Sequence, residues 1–122
     1  IGSRWVADGK IQNWSKFREH LSRGANAYTN VLLSLGVKDS TSGFRIYDAE
    51  FLKKMDILTI KSEGYCFQIE MTRRVISRGG SVGEIPIVFI EREHGVSKMS
   101  FGIAFEAVLR ITAWGFLRII GR

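Results

Sequence analysis

Arginines, hydroxyls and glycines recur in this chain in groups that suit an anion. The first group is Arg4, Lys16, Arg18, Ser22, Arg23 and Gly24. Arg18 and Ser22 stand four apart, so on a helix they share one face and can meet one phosphate together. An ordinary solvated helix face has the same composition. The second group is the run Glu91-Arg92-Glu93-His94-Gly95-Val96-Ser97-Lys98-Met99-Ser100. There Arg offers a bidentate fork, Lys a point charge and Ser a neutral donor, while glycine lets backbone approach closely. A solvated charged loop is the plain alternative. His94 has only His20 for company and Cys66 is the one cysteine, so the sequence shows no metal site and no disulfide framework. Asp39-Ser-Thr-Ser-Gly-Phe-Arg45 is a hydroxyl-rich turn closing on an arginine. Glu63 and Glu70 would share a helix face only if that helix began early, and nothing else supports them as an acid–base pair.

These groups need elements to hold them. Residues 5–14 carry an Asp8-Gly9 turn signal and no apolar period, and are read as a loop. The spacing predicts a helix from Ser15 to about Leu35, with Ser15 as N-cap and Phe17, Leu21, Ala25, Tyr28 and Leu32 as its apolar face. Gly36 is placed as its stop. A short helix is expected from Asp48 to about Met55. A longer one is expected from Tyr65 to Arg78, with a Glu70–Arg74 pair, ended by Gly79-Gly80. Ser81 to Ile90 reads as a strand, and Pro86 within it favours an edge position or a bulge. Glu91 to Ser100 is a loop. A last helix runs from Phe101 to the end. One strand makes no sheet, so either further strands are hidden in the chain or they lie outside it.

The last helix carries Glu106, Arg110, Arg118 and Arg122. These fall within one arc of roughly 160° at a helical period. The rest is Ile, Leu, Phe and Val with Trp114 between. That pattern suits a helix lying in a membrane interface. Packing on a core and a dimer interface are the other readings.

The whole chain has 122 residues, 45% hydrophobic and 25% charged, which suits one globular domain at most and excludes disorder as the main state. A net charge of +6 suits an anionic partner: nucleic acid, a phosphorylated ligand or an acidic membrane. The basic residues are scattered and no nucleic-acid-binding motif occurs, so nucleic acid is not expected. No uncharged stretch approaches the ~18 residues of a membrane span. The chain starts at Ile1 without a signal sequence, and is read as a piece of a longer protein.

Six ordered blocks carry a resemblance. They are Ile1-Gly2-Ser3-Arg4, Asn13-Trp14, Leu21-Ser22-Arg23-Gly24-Ala25-Asn26, Asp39 to Arg45, Ser62-Glu-Gly-Tyr-Cys-Phe-Gln-Ile-Glu-Met71 and Glu91 to Met99. Together the chain resembles the polyprenyl- and dolichyl-phosphate mannose synthases, inverting family 2 glycosyltransferases. The resemblance implies an α/β fold, the C-terminal half of a mixed-sheet, Rossmann-like GT-A domain with a terminal amphipathic interface helix. Residues 1–100 would form the acceptor-side half and 101–122 the interface helix. It implies β-mannosyl transfer from GDP-mannose to a polyprenyl or dolichyl phosphate, with Mg2+ or Mn2+ on the donor.

Carried over to this chain, the acceptor phosphate would meet Arg4, Arg18, Ser22 and Arg92, with Lys98, Ser97 and Arg23 as further anion contacts. Glu91, Arg92, Glu93, His94, Gly95, Val96, Ser97 and Lys98 resemble the family's mobile acceptor loop. Asp39, Ser42, Gly43, Arg45, Glu63, Gln68 and Glu70 would shape the site. A phosphate acceptor needs no catalytic base. The family's Asp-x-Asp metal motif occurs nowhere here, so the metal ligands and nucleotide site are expected outside the chain, and the piece alone is expected to be inactive and prone to aggregate. The parent is expected on the cytoplasmic face of a membrane, peripherally, with a membrane-anchoring partner or a fused membrane domain. A sister enzyme using UDP-glucose or another sugar nucleotide, and a non-catalytic basic module binding membrane or nucleic acid, are the alternatives.

Overall fold

A computed structural model describes residues 1–91 and 101–121. The roles expected of Arg92, Glu93, His94, Gly95, Val96, Ser97, Lys98 and Arg122 fall on residues outside these.

The element order is β1 (Gly2–Ser3), β2 (Lys10–Gln12), α1 (Lys16–Leu33), α2 (Ala49–Lys53), α3 (Gly64–Ser77), β3 (Ile85–Pro86), β4 (Val88–Ile90) and α4 (Phe101–Ile120). β1 pairs with β3 and β2 with β4, both parallel. Parallel pairing needs a crossover, and α1, α2 and α3 supply it. This is an α/β arrangement, with strands that sequence reading missed. β1 and β2 are only two and three residues long, too short to show alternation.

The two ladders share one line. Ile87 donates its N–H to the Ser3 carbonyl at 3.0 Å and accepts from the Lys10 N–H at 2.9 Å. Residues 85–91 therefore run as one extended edge, against which 1–3 and 10–12 pair in turn, while residues 4–9 leave the ladder and return. The return is tight. Gly9 donates to the Val6 carbonyl at 2.9 Å, and a Cβ on Gly9 would sit 2.6 Å from the Arg4 carbonyl oxygen. Pro86 lies in a two-stranded ladder, where its missing N–H faces no further strand among the described residues.

The Ser15 hydroxyl caps α1 by accepting from the Arg18 N–H at 3.2 Å. The helix stops at Leu33, earlier than the expected Leu35, because Ser34 takes a left-handed conformation at φ 50°. Its inner face also differs from the expected one. Asn26, Thr29 and Leu33 are buried, whereas Phe17 is 77% and Leu21 54% exposed. The physical reason is the loop after the helix, whose polar backbone needs Asn26 as a partner. The short helix expected from Asp48 to about Met55 runs only from Ala49 to Lys53, capped by Asp48, and the expected Glu70–Arg74 pair is present at 2.8 Å.

One core cluster joins Leu33, Leu35, Val37, Ile69 and Ile111, and a second joins Met55, Met71 and Val75. Val82 packs against both. α4 enters the first through Ile111. Gly115 lets it close on α1: a Cβ there would lie 3.1 Å from the Leu32 Cβ. Tyr28 and Thr112 hydroxyls bond across the same seam at 2.7 Å. The opposite face of α4, with Phe105, Leu109, Phe116 and Ile120, is exposed. No described helix is long and apolar enough to cross a membrane.

These two faces of α4 should respond differently to mutation. Ile111→Ala should cost about 2–5 kcal/mol of stability in urea unfolding, whereas Phe116→Ser should change it by less than about 0.5 kcal/mol. Equal losses would mean that the outward face is also packed.

Candidate anion-binding site

Arg4 opens the 4–9 excursion and is buried. Its Nε donates to Asp39 Oδ2 at 2.8 Å and its Nη2 to Asp39 Oδ1 at 2.7 Å. The Arg4 backbone N–H adds a bond to Oδ2 at 2.9 Å, and Nη2 also reaches the Thr41 hydroxyl at 3.0 Å. Asp39 is completely buried. A bidentate pair of this kind satisfies both ions where water cannot.

The loop that carries Asp39 is held at every polar atom that matters. The Glu84 carboxylate accepts from the Lys38 and Asp39 N–H groups at 3.0 and 2.9 Å. Asn26 Oδ1 accepts from the Ser40 N–H and hydroxyl at 2.7 and 2.8 Å. The Ser42 hydroxyl donates to the Gly2 carbonyl at 2.6 Å. Arg45 donates to the carbonyls of Ser40 and Ser42, both at 2.7 Å, and to the Gln68 carbonyl and Thr72 hydroxyl on α3 at 3.0 and 2.7 Å. Asp39, Ser42 and Arg45 thus build the loop. Gly43 lies on it, exposed.

Around Arg4 stand three rings. Trp5 and Trp14 meet edge to face at 6.2 Å, as do Trp14 and Phe89 at 5.6 Å. The Arg4 guanidinium lies 5.4, 5.2 and 5.7 Å from the Trp5, Trp14 and Phe89 centroids. Two further guanidinium groups reach in from α1: Arg18 stacks over Trp14 and Arg23 over Trp5, each at 4.2 Å. Such contacts favour a cation without neutralising it. Arg18 also pairs with Glu91, at the end of β4. Arg23 pairs with Glu19 at 3.3 Å and is half exposed. Ser22 is half-buried on the same helix, and its carbonyl accepts from Asn26 Nδ2 at 3.0 Å.

The structure therefore brings Arg4, Arg18, Arg23 and Glu91 to one aromatic cluster, with Ser22 on the turn between the two helical arginines. It does not bring Glu63, Gln68 or Glu70 there. Those lie in or beside α3, where Glu70 accepts from Arg74 and from the Ser62 hydroxyl. Sequence reading gave Trp5, Phe89, Asn26 and Glu84 no role, and quoted Trp14 without one. The alternation Arg4-Trp5 and Trp14…Arg18 was the available signal. Among the described residues no cluster of three or more His, Cys, Asp or Glu side chains could hold a metal ion.

The chain is homologous to enzymes named for moving mannose on lipid phosphates. It is 49% identical over 115 residues to the polyprenol monophosphomannose synthase of Mycolicibacterium smegmatis, covering 94% of this chain and 43% of that protein. It is 45% identical over 115 residues to the undecaprenyl-phosphate mannosyltransferase of Micrococcus luteus, covering 94% of this chain and 47% of that protein. The chain thus spans about half the length of the curated relatives it matches. No protein-family model matches it, and no solved structure gives a significant match.

Two outcomes follow from the geometry. Asp39→Ala should destabilise the fold by about 3–5 kcal/mol in urea, because it leaves the Arg4 charge buried and unpaired; a loss below 1 kcal/mol would show that water reaches Arg4. Cys66, buried in α3, has its thiol pushed up to about 11 from 9.0 by burial, against the pull of Arg110 and with help from Glu70 and Glu106. The unfolded thiol ionises first as pH rises, so this contribution to stability is complete below pH 9.0 and fades toward about pH 11. At pH 8.5 iodoacetamide should label Cys66 only after unfolding. Rapid labelling of the native protein would refute that.

Proposed function

We propose that this chain is the acceptor side of an enzyme that transfers mannose from GDP-mannose to a polyprenyl or dolichyl phosphate. The observation that carries the reading is the gathering of Arg4, Arg18 and Arg23 on one aromatic cluster in a chain 45–49% identical to two such lipid-phosphate enzymes. The whole would have a GT-A fold, with residues 1–100 as its acceptor-side half and α4 as an interface helix.

In this mechanism a phosphate oxygen of the lipid forms the bond to the anomeric carbon, and the carbon–oxygen bond to GDP breaks. The electron pair leaves with the nucleoside diphosphate, and attack from the opposite side inverts the centre. The nucleophile is already an anion, so the chain's task is positioning. In this reading Arg18, Ser22 and Arg23 would receive it, and Arg92, Ser97 and Lys98, outside the described residues, are the further anion contacts. Arg4 differs from the others: its Nε and Nη2 are committed to Asp39, which offsets its charge, so any direct phosphate contact falls to Nη1. Mg2+ or Mn2+ would neutralise the leaving diphosphate from ligands outside this chain. The outward apolar face of α4 would rest in the lipid headgroup boundary, keeping the parent peripheral on the cytoplasmic face. The chain alone would be inactive.

The test uses the full-length parent with labelled GDP-mannose, a polyprenyl phosphate and a divalent metal, followed by extraction of the lipid phase. Label in that phase supports the reading, and label only from UDP-glucose replaces the sugar. No label from either donor overturns it in favour of a basic membrane-binding module. Arg18→Glu in the parent should lower transfer roughly a hundredfold or more while vesicle binding persists. Loss of both together would make Arg18 a residue of the fold.

A further inference from the structure

The Arg18 guanidinium has two neighbours of opposite kind. Trp14 lies beneath it at 4.2 Å, and the Glu91 carboxylate meets it at the edge. The two contacts differ in permanence. Trp14 is wedged between Trp5 and Phe89 and also backs Arg4 at 5.2 Å, so its ring is set by packing. The ion pair is about a third exposed on both sides, at 33% and 36%, and exposed pairs of this kind are weak. Among the described residues Glu91 is the acid on Arg18, and it meets Nη1, a donor that a phosphate would also use.

Resting on the mannosyl-transfer reading above, we propose that Arg18 is held by a permanent aromatic shelf, Trp14, and by an exchangeable anion, Glu91, whose place the acceptor phosphate takes. Phosphate presents more charge and more acceptor oxygens to the guanidinium than one carboxylate does. It therefore displaces Glu91 from the edge while leaving the stacked face undisturbed. Trp14 is a positioning residue and Glu91 a competitor, so removing them should move acceptor affinity in opposite directions.

The experiment measures steady-state transfer by the full-length parent, with farnesyl phosphate as acceptor and GDP-mannose as donor. Glu91→Gln should lower the KM for farnesyl phosphate roughly two- to fivefold. Trp14→Leu should raise it roughly three- to thirtyfold, and Trp14→Phe should recover most of that loss. The KM for GDP-mannose should stay unchanged in all three. A rise or no change with Glu91→Gln overturns the exchange. A normal acceptor KM in Trp14→Leu, or an equal rise in both KM values, overturns the shelf. Wild-type parent that transfers no mannose overturns the underlying reading instead, which separates the two failures.

Discussion

The buried pair between Arg4 and Asp39 anchors the site side of this fold. It joins two segments far apart in sequence: the excursion of residues 4–9 from the strand ladder, and the loop that follows α1. Three bonds from Arg4 to one carboxylate fix where the excursion leaves the ladder. That position sets Trp5, which with Trp14 and Phe89 forms the surface on which the α1 arginines lie. Such a pair is not a large net source of stability, because desolvating both ions offsets most of their attraction. Its effect is geometric: every alternative arrangement leaves a buried charge alone.

Charge is then handled in two ways. Arg4 is neutralised at depth, while Arg18 and Arg23 rest on ring faces and keep partly exposed carboxylate partners. A cluster that was all ion pairs would have little attraction left for an incoming anion. A cluster with no counter-charge would repel itself. Aromatic faces resolve this, since they hold guanidinium groups together without cancelling them. The α4 helix follows the same economy of faces. Its inner side, through Ile111 and Gly115, belongs to the core, and its outer side stays apolar.

Local signals in the sequence were reliable where they act within one turn of chain. Ser15 as a cap, the Asp8-Gly9 turn, the Glu70–Arg74 pair and the start of α4 follow from bonds between near neighbours, so spacing reveals them. The α1 face was misjudged because polar Asn26 and Thr29 are buried there by the demands of a distant loop, and the outward Phe17 and Leu21 look like core by periodicity alone. The ladder was missed because strands of two or three residues owe their existence to partners some eighty residues away.

For the site, residue order alone supplies a stock of guanidinium and hydroxyl groups, the homology of the chain to two mannosyl enzymes of lipid phosphates and the absence of an Asp-x-Asp motif from this stretch. Only folding separates the buried arginine, Arg4, from the partly exposed one, Arg18. Arg4 and Arg18 are the same residue type, and nothing in their spacing tells them apart. One is paired with a carboxylate that the fold has sealed from water, and the other with a carboxylate that stays about a third exposed, at 36%. Solvent access and the placement of Asp39 and Glu91 make that difference, and both exist only once the chain has folded.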